Sequence, residues 1–221
     1  MSASAHGRDS AGKTDLSTIM AGSMYPPARP AMPTLSARDR ILDTAARLFY
    51  RDGYRATGID RIIAESGVAK MSLYRHFASK NDLIFEYLQR RHEFWMNWFE
   101  TGVRARLGRR RNLDVLADTL GEWFGSDDFR GCSFINMVAE TGGGAGEDPR
   151  LLEQAVAHKA SLHDFIAAIA RELGLTDPQA VAAQALICVE GMIVRSQTTH
   201  DKSVVAAGRR MLSLVHEAYR T

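Results

Sequence analysis

The sequence predicts an all-α protein: three short helices followed by a C-terminal bundle of about six helices. Three observations carry that expectation. Apolar residues recur at three- and four-residue spacing through most of the chain. No stretch alternates apolar and polar residues as a half-buried strand does, and Val, Ile and Thr are never clustered. Cap residues and Asp-Pro pairs punctuate the periodic stretches at intervals suited to helices.

Residues 1–33 hold Pro26, Pro27, Pro30 and Pro33 among Ser, Ala and Gly, so a disordered N-terminal tail is expected there. Order is expected from Ser36, which with Asp39 resembles a short capping box. Ile41, Leu42, Ala45, Leu48 and Phe49 then form one apolar face, and Gly53 is expected to close this helix as a left-handed cap. Thr57 with Asp60 reads as the cap of a second helix through Ile62, Ile63 and Ala64. Gly67 breaks it, and a third helix runs from about Lys70 to Phe77. Ser79 with Asp82 caps a long fourth helix reaching about Arg106. Leu113–Phe124 and Phe134–Ala139 are the next two helices, followed by a glycine-rich loop at 141–146. Asp148-Pro149 and Asp177-Pro178 each open a further helix, since proline suits the first turn. The first of these closes at Gly174 and the second runs to about Thr199. A last helix spans roughly Lys202 to Arg220.

At 221 residues, 45% apolar and 24% charged, the chain can bury a sizeable core in one large or two modest domains. The expected division is a tail at 1–33, a small unit at 34–80 and a larger unit at 81–221. A net charge of +2 is no argument for nucleic acid, but residues 34–80 hold nine Arg or Lys against five Asp or Glu. A second cluster runs from Arg104 to Arg111 and is expected to be a solvated helix end, where cations oppose the helix dipole. Cys132 and Cys188 are too few for a disulfide framework or a Cys-rich zinc site, which points to a reducing, cytoplasmic setting. No apolar run approaches the roughly 18 residues of a membrane span, and the N-terminus lacks a secretory apolar core. No glycine-rich phosphate loop follows a strand, no metal-ligand spacing occurs, and no nucleophile has a partner nearby. An enzyme, a metal and a cofactor are therefore not expected.

The stretch from Ile59 to Lys80 carries the chemistry. Gly67 permits a turn that a side chain would oppose. Ile62, Val68, Leu73 and Phe77 are spaced to point inward and fix two short helices at one angle. That leaves Lys70, Met71, Ser72, Tyr74, Arg75 and His76 on the outward face of the third helix. Thr57 and Lys80 sit at flanking helix starts, where backbone N–H groups and hydroxyls meet phosphate readily. A helix-turn-helix that presents a basic helix to the DNA major groove fits this pattern.

The motif GVAKMSLYRHFASKNDL, with ILDTAARLFYRDGYRATGIDRIIAESG before it, resembles the DNA-binding core of the TetR family of one-component bacterial transcription regulators. The resemblance implies that Thr57, Tyr74, His76 and Lys80 contact phosphates of a double-stranded DNA operator. It places Lys70, Met71, Ser72 and Arg75 nearest the base edges. The chain departs from the family pattern at Ile63, at Ala69, where Ser is frequent, and at Met71, where Gly or Ala is usual. It further implies a ligand-responsive regulator, in the first instance a repressor, that binds a pseudo-palindromic operator as a homodimer and is released by a small-molecule effector.

Within that frame, the aromatic residues Phe94, Trp95, Trp98, Phe99, Trp123 and Phe134, with Asn136, are the candidate lining of an effector pocket. The last two helices are the candidate dimer contact, through Ala182, Ala185, Leu186, Val189 and Ile193 on one and Met211, Leu212 and Val215 on the other. Cys132, between Gly131 and a helix start, is either a small buried residue or an oxidant and electrophile sensor. Cys188, on a crowded mid-helix stripe, reads as inert.

Overall fold

The computed structural model describes residues 35–142 and 148–221; the expected tail and most of the glycine-rich loop lie outside the described residues. Among the described residues there are nine α-helices and no strand. They are α1 (Ala37–Asp52), α2 (Ile59–Ser66), α3 (Lys70–His76), α4 (Lys80–Leu107), α5 (Val115–Phe124), α6 (Ser133–Thr141), α7 (Pro149–Glu172), α8 (Pro178–Thr199) and α9 (Ser203–Ala218).

Local chemistry sets most of the helix starts. Ser36 Oγ accepts from Asp39 N at 3.1 Å and donates to the Asp39 carboxylate at 2.7 Å. Ser79 and Asp82 repeat the arrangement at the head of α4, at 3.1 and 2.8 Å. Each satisfies an amide that has no partner within the helix. Asp148 accepts from Arg150 N at 3.1 Å and Asp177 from Ala180 N at 3.2 Å, each followed by proline in the first turn.

Two expected caps differ. Gly53 has a positive φ of 92°, as glycine permits, but a ψ of 164° places it outside the left-handed helical region. Thr57 caps nothing: its hydroxyl donates to Gly53 O at 2.7 Å, and the residue is fully buried. The nearer carbonyl captured the hydroxyl, so Gly58 stands at the start of α2 without a side-chain cap.

Helices α1–α3 close over Ile41, Leu48, Ile62, Leu73 and Phe77, all buried. The α2–α3 turn rests on Gly67, at φ 63° and ψ 34°, where a Cβ would be strained. Arg40 of α1 clamps that turn: its Nε and Nη2 donate to Ser66 O at 3.0 and 2.9 Å, and Nη2 also donates to Gly67 O. Helix α4 then runs from this small unit into the bundle, touching α1 at one end and α5 and α7 further along. Helix α8 packs on both α7 and α9, and α9 also covers α5. Three arginines after residue 103 are tied to neighbouring elements: Arg104 pairs with Glu172 at 3.1 Å, Arg106 with Glu122, and Arg110 with Asp114 and Asp118.

The expected dimer contact needs correction. Ala182, Ala185, Val189, Ile193 and Leu212 are buried inside the subunit, and Leu186 and Val215 are half-buried against the same core. They are the inner stripes of α8 and α9, which the bundle itself consumes. Of the residues assigned to that contact only Met211 is exposed. The outer apolar positions are Ile187, 72% exposed, with Val194 on α8, and Leu214, 66% exposed, beside Met211 on α9.

Ala69 occupies the N-cap of α3 with φ −72° and ψ 146° and no side-chain cap. Serine suits that geometry, so Ala69→Ser is expected to stabilise the protein by roughly 0.5–1 kcal/mol. Urea titration checks this; no gain in midpoint would mean that another group already satisfies those amides.

Candidate nucleic-acid interface and bundle cavity

Helix α3 buries Leu73 and turns Lys70, Met71, Tyr74, Arg75 and His76 to solvent, with Ser72 half-buried. Met71 is 78% exposed, unusual for a residue of its apolarity and consistent with a surface that awaits contact. Lys70 Nζ lies 3.3 Å from Asp60 in a well-exposed pair, which contributes little to stability and leaves the ammonium accessible. Lys80, at the head of α4, is half-buried; desolvation lowers its pKa and Glu140 opposes that shift. Thr57, assigned to phosphate contact, presents no side chain to the surface. One contributor absent from the sequence reading is Arg40, which sets the angle of α3 through the turn carbonyls. No local pattern announces it, because its acceptors lie 26 residues away.

Three tyrosines join this unit to the bundle. Tyr50 Oη donates to Gly131 O at 3.2 Å and accepts from Arg130 N at 3.0 Å. Tyr54 Oη donates to Ser133 O at 2.9 Å, and Tyr87 Oη lies 2.8 Å from Ser133 Oγ. Burial pushes the Tyr50 phenol up, with Arg91, whose guanidinium sits 4.5 Å over the ring, pulling it back. Glu140 adds a fourth link by accepting from Arg55 N at 2.9 Å. Gly131 has φ 79°, and a Cβ there would collide with the Gln197 amide. The segment therefore needs glycine both for its turn and for its closeness to α8.

Behind that segment lies a cavity of about 10 Å³, room for about one water. Trp95, Trp123 and Phe134, three of the candidate pocket residues, line it. Phe99 stacks on Trp95 at 4.8 Å between centroids and Trp98 lies tilted against it at 6.2 Å, one layer further out. Phe94 is half-buried and does not line the cavity. Asn136 does not line it either: its Nδ2 donates to Arg130 O at 2.8 Å and its Oδ1 accepts from Gln197 Nε2 at 3.0 Å, on a separate open cleft. Cys132 forms part of the wall, buried, with Lys159 Nζ 3.8 Å from its Sγ.

The polar lining was not foreseen. Arg91, Ser133, His158 and Lys159 all face the cavity, together with Leu162 and Ile193. His158 is sandwiched ring over ring with Phe134 at 4.0 Å, and its Nδ1 lies 3.0 Å from Nδ1 of His92. Burial, helped by Lys159, His92 and Arg91, pushes its pKa down to about 2, so the ring is neutral at physiological pH.

A small helical unit with a glycine turn and a basic exposed helix, rigidly tied to a larger bundle, defines a helix-turn-helix DNA-binding regulator. The description "Bacterial regulatory proteins, tetR family" matches residues 41–87. The chain is 28% identical to a TetR-family transcriptional regulator from Streptomyces coelicolor, covering 83% of this chain and 95% of that one with a TM-score of 0.69. It is 27% identical over 171 residues to the transcriptional regulator LmrA of Bacillus subtilis, 76% of this chain and 89% of that protein. With the transcriptional activator FasR of Mycolicibacterium smegmatis it shares 29% identity over 96 residues, 43% of this chain and 44% of that protein's length. Residues 41–87 are thus a TetR-family helix-turn-helix DNA-binding unit, and the rest of the chain shares the fold of a solved regulator of that family. That fold is a regulatory one, not a catalytic one. No helix among the described residues is long and apolar enough to cross a membrane.

The depressed His158 pKa has a measurable consequence. The unfolded imidazole takes up a proton below about pH 6.5 while the folded one resists until about 2, so folding stability falls as pH drops below 6.5. The slope from this one group is about 1.4 kcal/mol per pH unit. His158→Phe, which keeps the stack on Phe134, is expected to flatten the acid limb of Tm against pH by one proton. An unchanged limb would place the acid sensitivity elsewhere.

Proposed function

We propose that the protein is a repressor that binds a pseudo-palindromic operator as a homodimer and leaves it when a small molecule occupies the bundle cavity. The observation that carries this reading is the hydrogen-bonded junction: Ser133, which lines the cavity, is held by Tyr54 and Tyr87, which belong to the elements that carry α3. A ligand that displaces the 131–134 segment pulls directly on the end of α1 and on α4. Such a ligand shifts the equilibrium only as far as it prefers the displaced geometry. FasR is named an activator, so the sign of regulation rests on where the operator lies and is open to a reporter assay. The burial of Cys132 within the cavity wall favours a packing role over that of an oxidant sensor.

At the DNA, Tyr74, His76 and Lys80 supply phosphate contacts, and Lys70, Met71, Ser72 and Arg75 face the base edges. One such unit reads too few base pairs for specificity, so two must be held at a fixed spacing. The exposed face of Ile187, Val194, Met211 and Leu214 supplies the two-fold contact.

Anisotropy titrations on a DNA fragment selected by the protein test both parts. Lys80→Ala is expected to weaken binding to every sequence and to lower the salt slope by about one. Arg75→Ala is expected to cost about 1–3 kcal/mol of discrimination at a single base pair. An unchanged salt slope removes Lys80 from the interface. For the dimer, Ile187→Asp with Leu214→Asp is expected to give a folded monomer in sedimentation with operator binding lost. A persisting dimer would move the contact to another face.

A further inference from the structure

The Trp95 indole N–H in the cavity wall has no acceptor among the described residues, and that vacancy selects the molecule the cavity takes. We propose that the effector is a neutral, planar aromatic compound bearing a carbonyl oxygen, and that this oxygen accepts the Trp95 N–H inside the bundle. This rests on the reading of that cavity as the effector site and adds the class of ligand.

Trp95 is 4% exposed, and buried donors are nearly always satisfied. An indole N–H donates and never accepts, so the group it lacks is an acceptor with a lone pair. Its edge-on neighbours Trp123 and His158, at 5.7 and 5.4 Å between centroids, offer π faces, which are second-order acceptors. The other polar groups of the wall are already engaged. Lys159 Nζ lies 3.0 Å from Glu190 Oε1, Ser133 Oγ 2.8 Å from Tyr87 Oη, and His158 Nδ1 3.0 Å from His92 Nδ1. The Arg91 guanidinium sits over the Tyr50 ring, and the Trp123 N–H acts on the Tyr50 phenol.

Those pairings decide the charge of the ligand. An anion would have to draw Lys159 from Glu190, or Arg91 from the groups that hold it. A cation would meet Arg91 and Lys159 with no carboxylate among the described lining residues to oppose them. A neutral ligand leaves every existing pair intact and brings no buried charge that needs a partner. The volume fixes which part of it goes where. About 10 Å³ suits one oxygen atom and not a ring. The carbonyl oxygen therefore takes the existing space, and the ring is admitted by rotation of the surrounding aromatic side chains. Stacked contacts such as Phe99 makes on Trp95, and edge-on contacts such as Trp123 makes, are available to an incoming flat ring.

Four compounds on one ring frame decide the matter: 1-indanone, indane, indane-1-carboxylate and protonated 1-aminoindane. Each is titrated into the full-length protein by calorimetry, with anisotropy of a labelled DNA fragment selected by the protein reporting release. 1-Indanone is expected to bind at least about tenfold more tightly than either charged compound. In Trp95→Phe its preference over indane is expected to fall about fivefold, the worth of one hydrogen bond. In the wild-type protein the Trp95 indole proton, followed by NMR, is expected to move downfield with 1-indanone and not with indane. That signal decides the question if the variant fails to fold. Equal or tighter binding of a charged compound, or no binding of 1-indanone, overturns the proposal. So does an indole signal that bound 1-indanone leaves in place, which would assign the donor to a buried water. A charged compound that binds best and releases DNA would sink the ligand class and keep the effector site. 1-Indanone that binds with the expected signature while DNA stays bound would keep the class and sink the effector reading.

Discussion

The tyrosine hydroxyls that grip residues 131–133 are the interaction on which the rest of the structure depends. Tyr50 and Tyr54 sit on and just beyond the end of α1, Tyr87 sits on α4, and all three are buried. Their partners belong to the turn that opens α6, itself part of the wall of the bundle cavity. In that low-dielectric setting a hydroxyl and a carbonyl left unpaired cost more than a good bond contributes, so the junction resists partial separation. The core agrees with this: buried side chains form one continuous cluster from Ile41 in α1 to Leu212 in α9. A DNA-binding unit hung on a flexible linker would not report on the bundle; this one is built into it.

The two ends of the molecule use the same physics for opposite purposes. Around α3 every internal device adds rigidity: Gly67 in its left-handed turn, Arg40 clamped on Ser66 and Gly67, Leu73 sealed beneath. A recognition helix must hold its angle to hold its register on DNA. Around the cavity, an indole N–H with no acceptor among the described residues leaves the packing incompletely satisfied. Sites that must yield to a ligand are drawn from the less stable parts of a fold. The junction lies between these regions and can pass a displacement from one to the other.

How much of this was legible in the sequence follows the range of the interactions. Ser36, Ser79, Asp148 and Asp177 were readable as caps because donor and acceptor lie within three residues. Thr57 failed by the same logic, because a second local acceptor, Gly53 O, competed and won. On α8 the periodicity showed an apolar stripe but not which neighbour covers it. Ala182, Ala185 and Val189 face the core, and the outward positions Ile187 and Val194 were visible only once α7 and α9 were in place. The tryptophans announced a cluster, yet its polar partners Arg91, His158 and Lys159 come from α4 and α7, whose meeting no local spacing records. The tyrosine junction spans up to 81 residues and was invisible for the same reason.

Amide hydrogen exchange in the Tyr54→Phe, Tyr87→Phe double variant tests the central role of the junction most directly. Each lost bond is worth about 1 kcal/mol, so exchange in α1–α3 should accelerate roughly tenfold or more as a unit. Protection in α5, α8 and α9 should persist, because their packing does not pass through these hydroxyls. Unchanged protection in α1–α3 would contradict the account and show that the DNA-binding unit is held in place without these two hydroxyls.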